Sequence, residues 1–97
     1  MIRVRLTKIF RRRFRKRITD QYLKQRFSQR LKLFTHNPHN RALNDHQFGG
    51  KLSGFRAFSI TDDIRVIYHQ DSPNKVSLVD VGTHLQVYVK SKRQLRP

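Results

Sequence analysis

The chain has 97 residues, with 22 lysines and arginines against six acidic residues, a net charge of +16 and a pI near 11.6. That length allows one domain with a modest core, and such one-sided charge repels itself until a polyanion or an acidic protein neutralises it. Without cysteine, a disulfide framework and thiolate catalysis are excluded and a structural zinc site is disfavoured.

All six acids are aspartates, so any carboxylate chemistry must come from Asp. No run approaches the roughly 18 consecutive apolar residues of a membrane span. The N-terminus carries charge with no apolar segment behind it, so no secretory leader is expected and the cytoplasm is the expected compartment. A basic helix lying on an anionic membrane is the alternative for this region, although Trp is absent. Residues 1–34 hold 13 of the 22 basic residues and a single acid, Asp20.

Ile2 to Leu6 alternates apolar and basic residues, the period of a short half-buried strand. From Lys8 the period changes: Ile9, Phe10, Phe14 and Ile18 recur at helical spacing among arginines and lysines. Thr19 and Asp20 offer a cap for a second helix, whose stripe is Leu23, Phe27, Leu31 and Phe34. Asn37-Pro38 stops it, because proline cannot continue the hydrogen-bond ladder. The two helices, about residues 8–37, are expected to form an antiparallel hairpin with a cationic outer surface.

His39 to Gly54 reads as loop. Strand candidates follow: Phe55 to Ile60, Ile64 to Tyr68, Val76 to Val81 and Leu85 to Val89. Asp62-Asp63, Ser72-Pro73-Asn74 and Gly82-Thr83-His84 separate them, which predicts an antiparallel meander over about residues 55–90. A helix hairpin followed by such a sheet is an α+β arrangement, the helices packed on one face of a small, mainly antiparallel sheet of four to five strands. The whole of 1–97 is expected to be one domain.

Three segments carry a resemblance: Lys51-Leu52-Ser53-Gly54-Phe55-Arg56-Ala57-Phe58-Ser59-Ile60, Asp63-Ile64-Arg65-Val66-Ile67-Tyr68, and Val81-Gly82-Thr83-His84 with Val87-Tyr88. In order and spacing they resemble the RelE/ParE superfamily of toxins from type II toxin–antitoxin pairs. The branch they are most similar to is the YafQ-like mRNA interferases. The resemblance implies a microbial RNase fold, cleavage of mRNA in the ribosomal A site, and an antitoxin that covers the active face. It carries the loop histidine to His46, the acid to Asp63, the strand arginine to Arg65, the late histidine to His84 and the C-terminal aromatic to Tyr88. Ser59 stands where that branch has a second histidine, and the chain has no glutamate.

Cleavage of RNA without a metal needs a base for the 2′-hydroxyl, a cation for the phosphorane and an acid for the 5′-oxygen. Histidine suits either proton-transfer role, so His46 and His84 form the candidate pair, in either order. Arg65 offers a bidentate fork to phosphate. Asp63 would orient a histidine or act as the base, and Tyr88 would stack on a base or donate a hydrogen bond. Arg11, Arg12, Arg13, Arg15, Lys16, Arg17, Lys51 and Arg56 are the candidate contacts to RNA or ribosome, the helix cations serving an acidic antitoxin segment equally well. His36, His39 and His69 have no counterpart in the family and are read as surface residues. No cofactor and no metal are expected. The partners the resemblance implies are the antitoxin, the ribosome and mRNA. Two rivals remain: a ParE-like inhibitor of DNA gyrase, and a non-catalytic RNA-binding protein.

Overall fold

The computed structural model describes residues 1–47 and 54–87. In chain order it has β1 (Arg3–Leu6), α1 (Lys8–Arg17), α2 (Gln21–His36), a 3-10 turn (Arg41–Leu43), β2 (His46–Gln47), β3 (Phe55–Ser59), β4 (Ile64–Ser72) and β5 (Lys75–Thr83). Each helix starts where a side-chain oxygen takes up an orphan N–H. Thr7 Oγ1 accepts from Phe10 N at 3.2 Å, and Asp20 Oδ1 accepts from Tyr22 N at 2.9 Å. The Thr7 hydroxyl also donates to the Leu78 carbonyl at 2.8 Å, which pins the start of α1 to β5. α2 ends at Asn37, whose N–H closes on Leu33 O at 2.7 Å just before Pro38.

The five strands make one mixed sheet in the order β1-β5-β4-β3-β2. β1 runs parallel to β5, Arg3 opposite Lys75 through Leu6 opposite Leu78, while the other pairings are antiparallel. β1 is an edge strand of this sheet, and Ile2, Val4 and Leu6 pack on the same core as β5. Two expectations are corrected. The loop from His39 to Gly54 contains a 3-10 turn and β2, which extends the sheet beyond β3. And residues 84–87 are helical, not a closing strand.

Alternation sorts the apolar residues onto two faces. The inner face carries Phe58, Val66, Tyr68, Val76, Leu78 and Val81, packed under Phe10, Ile18 and Phe34. Phe34 stacks on Phe58 with centroids 4.7 Å apart and meets Tyr68 edge-on at 4.9 Å. The two helices meet through Phe10, Phe14 and Phe27, with centroids 4.8 to 5.8 Å apart. Full burial of one such ring contributes roughly 2–3 kcal/mol. On the outer face a smaller cluster joins Phe55, Ala57, Ile67 and Val87, so the helical turn at 84–87 folds back over the sheet.

Candidate active site

Strand register decides what the outer face presents. Arg65 on β4 lies opposite Ser59 on β3 and Gly82 on β5, which makes one row across the sheet. His46 on β2 pairs with Ala57, two residues before Ser59 and on the same face. Asp63 is exposed in the turn that leads into β4, its N–H donating to Thr61 Oγ1 at 3.3 Å. His84 follows Gly82 by two residues and opens the helical turn. Asp63 and His84 thus lie within two residues of the Ser59–Arg65–Gly82 row, and His46 lies two pairings along the same face. Tyr88 lies outside the described residues, as does Lys51.

The Gly82-Thr83-His84 segment has a local physical cause. A Cβ on Gly82 would stand 2.5 Å from Gln86 Oε1 and 3.0 Å from Arg17 Nη1, so a larger residue would have to push aside the ends of both side chains. Thr83 and Gln86 then form a reciprocal cap: the Thr83 N–H donates to Gln86 Oε1 at 2.9 Å, and the Gln86 N–H donates to Thr83 Oγ1 at 3.3 Å. This capping box starts the helical turn and sets His84 at its first position. The Thr-x-x-Gln spacing was the sequence signal for it, masked by the strand-like alternation of Leu85, Val87 and Val89.

His46 Nδ1 lies 2.8 Å from the Asn44 carbonyl oxygen. A carbonyl can only accept, so Nδ1 carries the proton and the neutral ring keeps its lone pair on Nε2. Arg65 enters none of the ion pairs among the described residues.

Three of the cations expected to contact RNA have internal partners. Asp80 is fully buried beside the register slip at Val79, where Ile67 faces Asp80 but Tyr68 faces Leu78. Arg13 Nη1 stands 3.1 Å from its Oδ2, and Arg17 Nη1 donates to its Oδ1 at 3.1 Å and to the Val81 carbonyl at 2.8 Å. β1 reaches along β5 only to Leu78, and these α1 side chains cover the β5 edge beyond it. Their side chains are 12% and 15% exposed, so Arg13 and Arg17 are committed to the fold. Burial pushes the Asp80 carboxyl up, and the two guanidiniums with the Val81 N–H pull it back without cancelling the effect. Arg56 likewise turns to Asp45 at 3.3 Å, and the Tyr68 hydroxyl donates to the same carboxylate at 2.8 Å. Burial, then the hydrogen bond to Asp45 and that carboxylate's charge, raises the Tyr68 phenol well above its ordinary range. Arg11, Arg12, Arg15 and Lys16 face solvent as expected.

Between α1 and α2 an apolar cleft of about 500 Å³, floored by Phe10, Phe14 and Phe27, has Arg11, Arg15 and Lys24 on its rim. Among the described residues no helix is long and apolar enough to cross a membrane, and no three His or Asp side chains gather as a metal site.

Residues 2–89 match the family model of the YafQ bacterial toxin of type II toxin–antitoxin systems. The chain belongs to the YafQ toxin family. It is therefore the toxin of a type II toxin–antitoxin system, and the α+β fold expected from the sequence is the one it adopts. Solved structures with the same fold include a metal-bound toxin from Helicobacter pylori, 19% identical with a TM-score of 0.74, covering 90% of this chain and 99% of that one. YafQ from E. coli is 17% identical with a TM-score of 0.70, covering 91% and 99%. The E. coli DinJ–YafQ toxin–antitoxin complex is also 17% identical at 0.70, covering 90% and 97%. Curated protein sequences give no significant match.

Proposed function

We propose that this YafQ-family toxin is an endoribonuclease that cuts mRNA on the ribosome with its own side chains and no cofactor. The observation that supports this most is the Ser59–Arg65–Gly82 row, with His46 two pairings away on the same face and His84 two residues beyond Gly82. In the neutral ring the His46 Nε2 lone pair takes the proton of the 2′-hydroxyl. The 2′-oxygen forms a bond to phosphorus while the bond to the 5′-oxygen breaks, leaving a 2′,3′-cyclic phosphate. His84 gives its proton to the departing 5′-oxygen. Arg65 holds the non-bridging oxygens as charge gathers on them. Asp63 orients the histidines from the adjoining turn, and Tyr88 stacks on a base. With Ser59 where the YafQ-like branch has a further histidine, His46 and His84 carry both proton transfers.

Arg11, Arg12, Arg15 and Lys16, with Lys51, bind ribosomal RNA phosphates without regard to sequence. The apolar cleft between α1 and α2, with its cationic rim, suits an acidic amphipathic segment of the cognate antitoxin. Acting on ribosomes, the toxin works in the cytoplasm. Induced expression followed by primer extension on translated mRNA tests the reading. Wild type should give cuts within translated codons, and His84→Ala should abolish them. Identical cuts from both proteins would overturn the site, and gyrase-dependent DNA damage without any cuts would overturn the reaction.

A further inference from the structure

Arg65 has a second environment. α2, the 3-10 turn and the β3–β4 turn enclose a cavity of about 570 Å³ into which Arg26, Arg30, Arg41 and Arg65 converge, with Tyr22 at its wall and Asp62 as the acid on its lining. Four cations facing one acid raise the electrostatic energy of the empty protein, and an anion in the cavity relieves it. Two of the arginines are aimed by the fold. Arg26 Nε donates to the Ile60 carbonyl at 3.2 Å, and Arg30 Nη1 donates to the Ala42 carbonyl at 2.9 Å. These bonds tie α2 to the two turns and use only part of each guanidinium's donor set. Arg41 and Tyr22 are exposed, Tyr22 by 60%, and Arg41 enters no ion pair among the described residues.

The chemistry of the wall selects the occupant. Its apolar members are Ala42 and Ile60, so a protein helix would find no pocket for an anchoring side chain. The cleft between α1 and α2 offers such a floor; this cavity offers guanidiniums and an exposed ring. Phosphates with bases to stack match that combination. Because Arg65 belongs both to this cavity and to the row with Ser59 and Gly82, the cavity continues the candidate active site.

We propose that the arginine cavity is a phosphate-binding subsite for single-stranded RNA, holding the strand on one side of the bond cut at Arg65 while a base stacks on Tyr22. The location rests on the nuclease reading, but RNA binding can be measured without cleavage. The probe is a fluorescein-labelled single-stranded RNA of mixed sequence, followed by anisotropy over a salt series, with the full chain carrying His84→Gln so that the probe stays intact. In that background, Arg41→Ala combined with Tyr22→Ala should weaken binding by about tenfold, and the salt slope should fall by about 0.7 for the lost phosphate contact. Arg41→Lys should keep the slope, and Asp62→Asn should tighten binding about twofold. Both exposed positions leave the fold intact, which an unchanged Tm verifies. Unchanged RNA affinity in the double variant would overturn the subsite. So would unchanged RNA affinity together with a lost affinity for the antitoxin, which would give the cavity to the protein partner. If wild type cuts no mRNA yet the double variant loses RNA affinity and slope, the subsite stands and the nuclease reading falls.

Discussion

The two faces of the sheet are built from the same strands to opposite ends. Inward, Phe58, Val66 and Tyr68 meet Phe34 and Phe10, and the Asp45–Arg56–Tyr68 cluster closes its polar edge with every member engaged. Outward, a small patch of Phe55, Ala57, Ile67 and Val87 gives way to a row whose centre is Arg65, a cation in no ion pair among the described residues. Where charge meets charge the cations serve the fold; the cations gathered around Asp62 are the ones left for the proposed RNA subsite. α1 repeats the contrast across its own width, with Arg13 and Arg17 tied to Asp80 while Arg11, Arg12, Arg15 and Lys16 face water.

The inner face should break first and hardest. Phe58→Ala removes a fully buried ring from between Phe34 and Tyr68, and urea unfolding should show a loss of about 3–5 kcal/mol. Asp80→Ala leaves Arg13 and Arg17 without their buried partner and should lower stability by about 3 kcal/mol. Asp80→Asn tests its sign with pH. A carboxyl pushed above 3.8 by folding binds its proton more tightly in the folded state. It therefore takes stability away as pH rises from 3.8 through the raised value, and the Asn variant should lack that decline.

Thr83→Ala breaks the cap beneath His84 and should cost about 1 kcal/mol. If the cap positions His84 for proton transfer, mRNA cleavage should fall further than so small a loss of stability explains, which separates positioning from folding. The mildest effect belongs to Asp71. Burial opposes its ionisation, but hydrogen bonds from His69 at 2.6 Å and Ser77 at 2.6 Å, with the nearby charge of Arg5, outweigh it and hold the carboxyl below 3.8. Its contribution is present above pH 3.8 and lost as pH falls through the lowered value. Melting temperatures of Asp71→Asn and wild type should accordingly differ at pH 7 and converge near pH 2.

Local pattern explains what was legible beforehand. The stripe of Leu23, Phe27, Leu31 and Phe34 with the Asn37-Pro38 stop predicts α2, and the turn residues at 62–63 and 73–74 separate β3, β4 and β5, although β4 runs on past Tyr68 to Ser72. Non-local pairing explains what was hidden. β2 is two residues long, too short for any period, and the parallel union of β1 with β5 joins positions 72 residues apart. Asp80 was the one visible sign of its pairing, a lone acid in the apolar run Val76-Ser77-Leu78-Val79-Asp80-Val81, since a buried charge requires partners. Of the site, His46, Asp63, Arg65 and His84 were named from resemblance. The role of Gly82 beside Arg17 emerges only from contacts across space, as does the grouping of Arg26, Arg30 and Arg41 around Arg65, whereas the Thr83–Gln86 cap has a local signal hidden under strand-like alternation.

Single-turnover cleavage of mRNA on programmed ribosomes, wild type against Arg65→Ala, tests most directly whether the outward row is catalytic. Wild type should leave 5′-hydroxyl and 2′,3′-cyclic phosphate ends, and the variant should cut at least about 100-fold more slowly at an unchanged melting temperature. Equal rates from the two proteins, or intact mRNA with wild type, would contradict a catalytic Arg65.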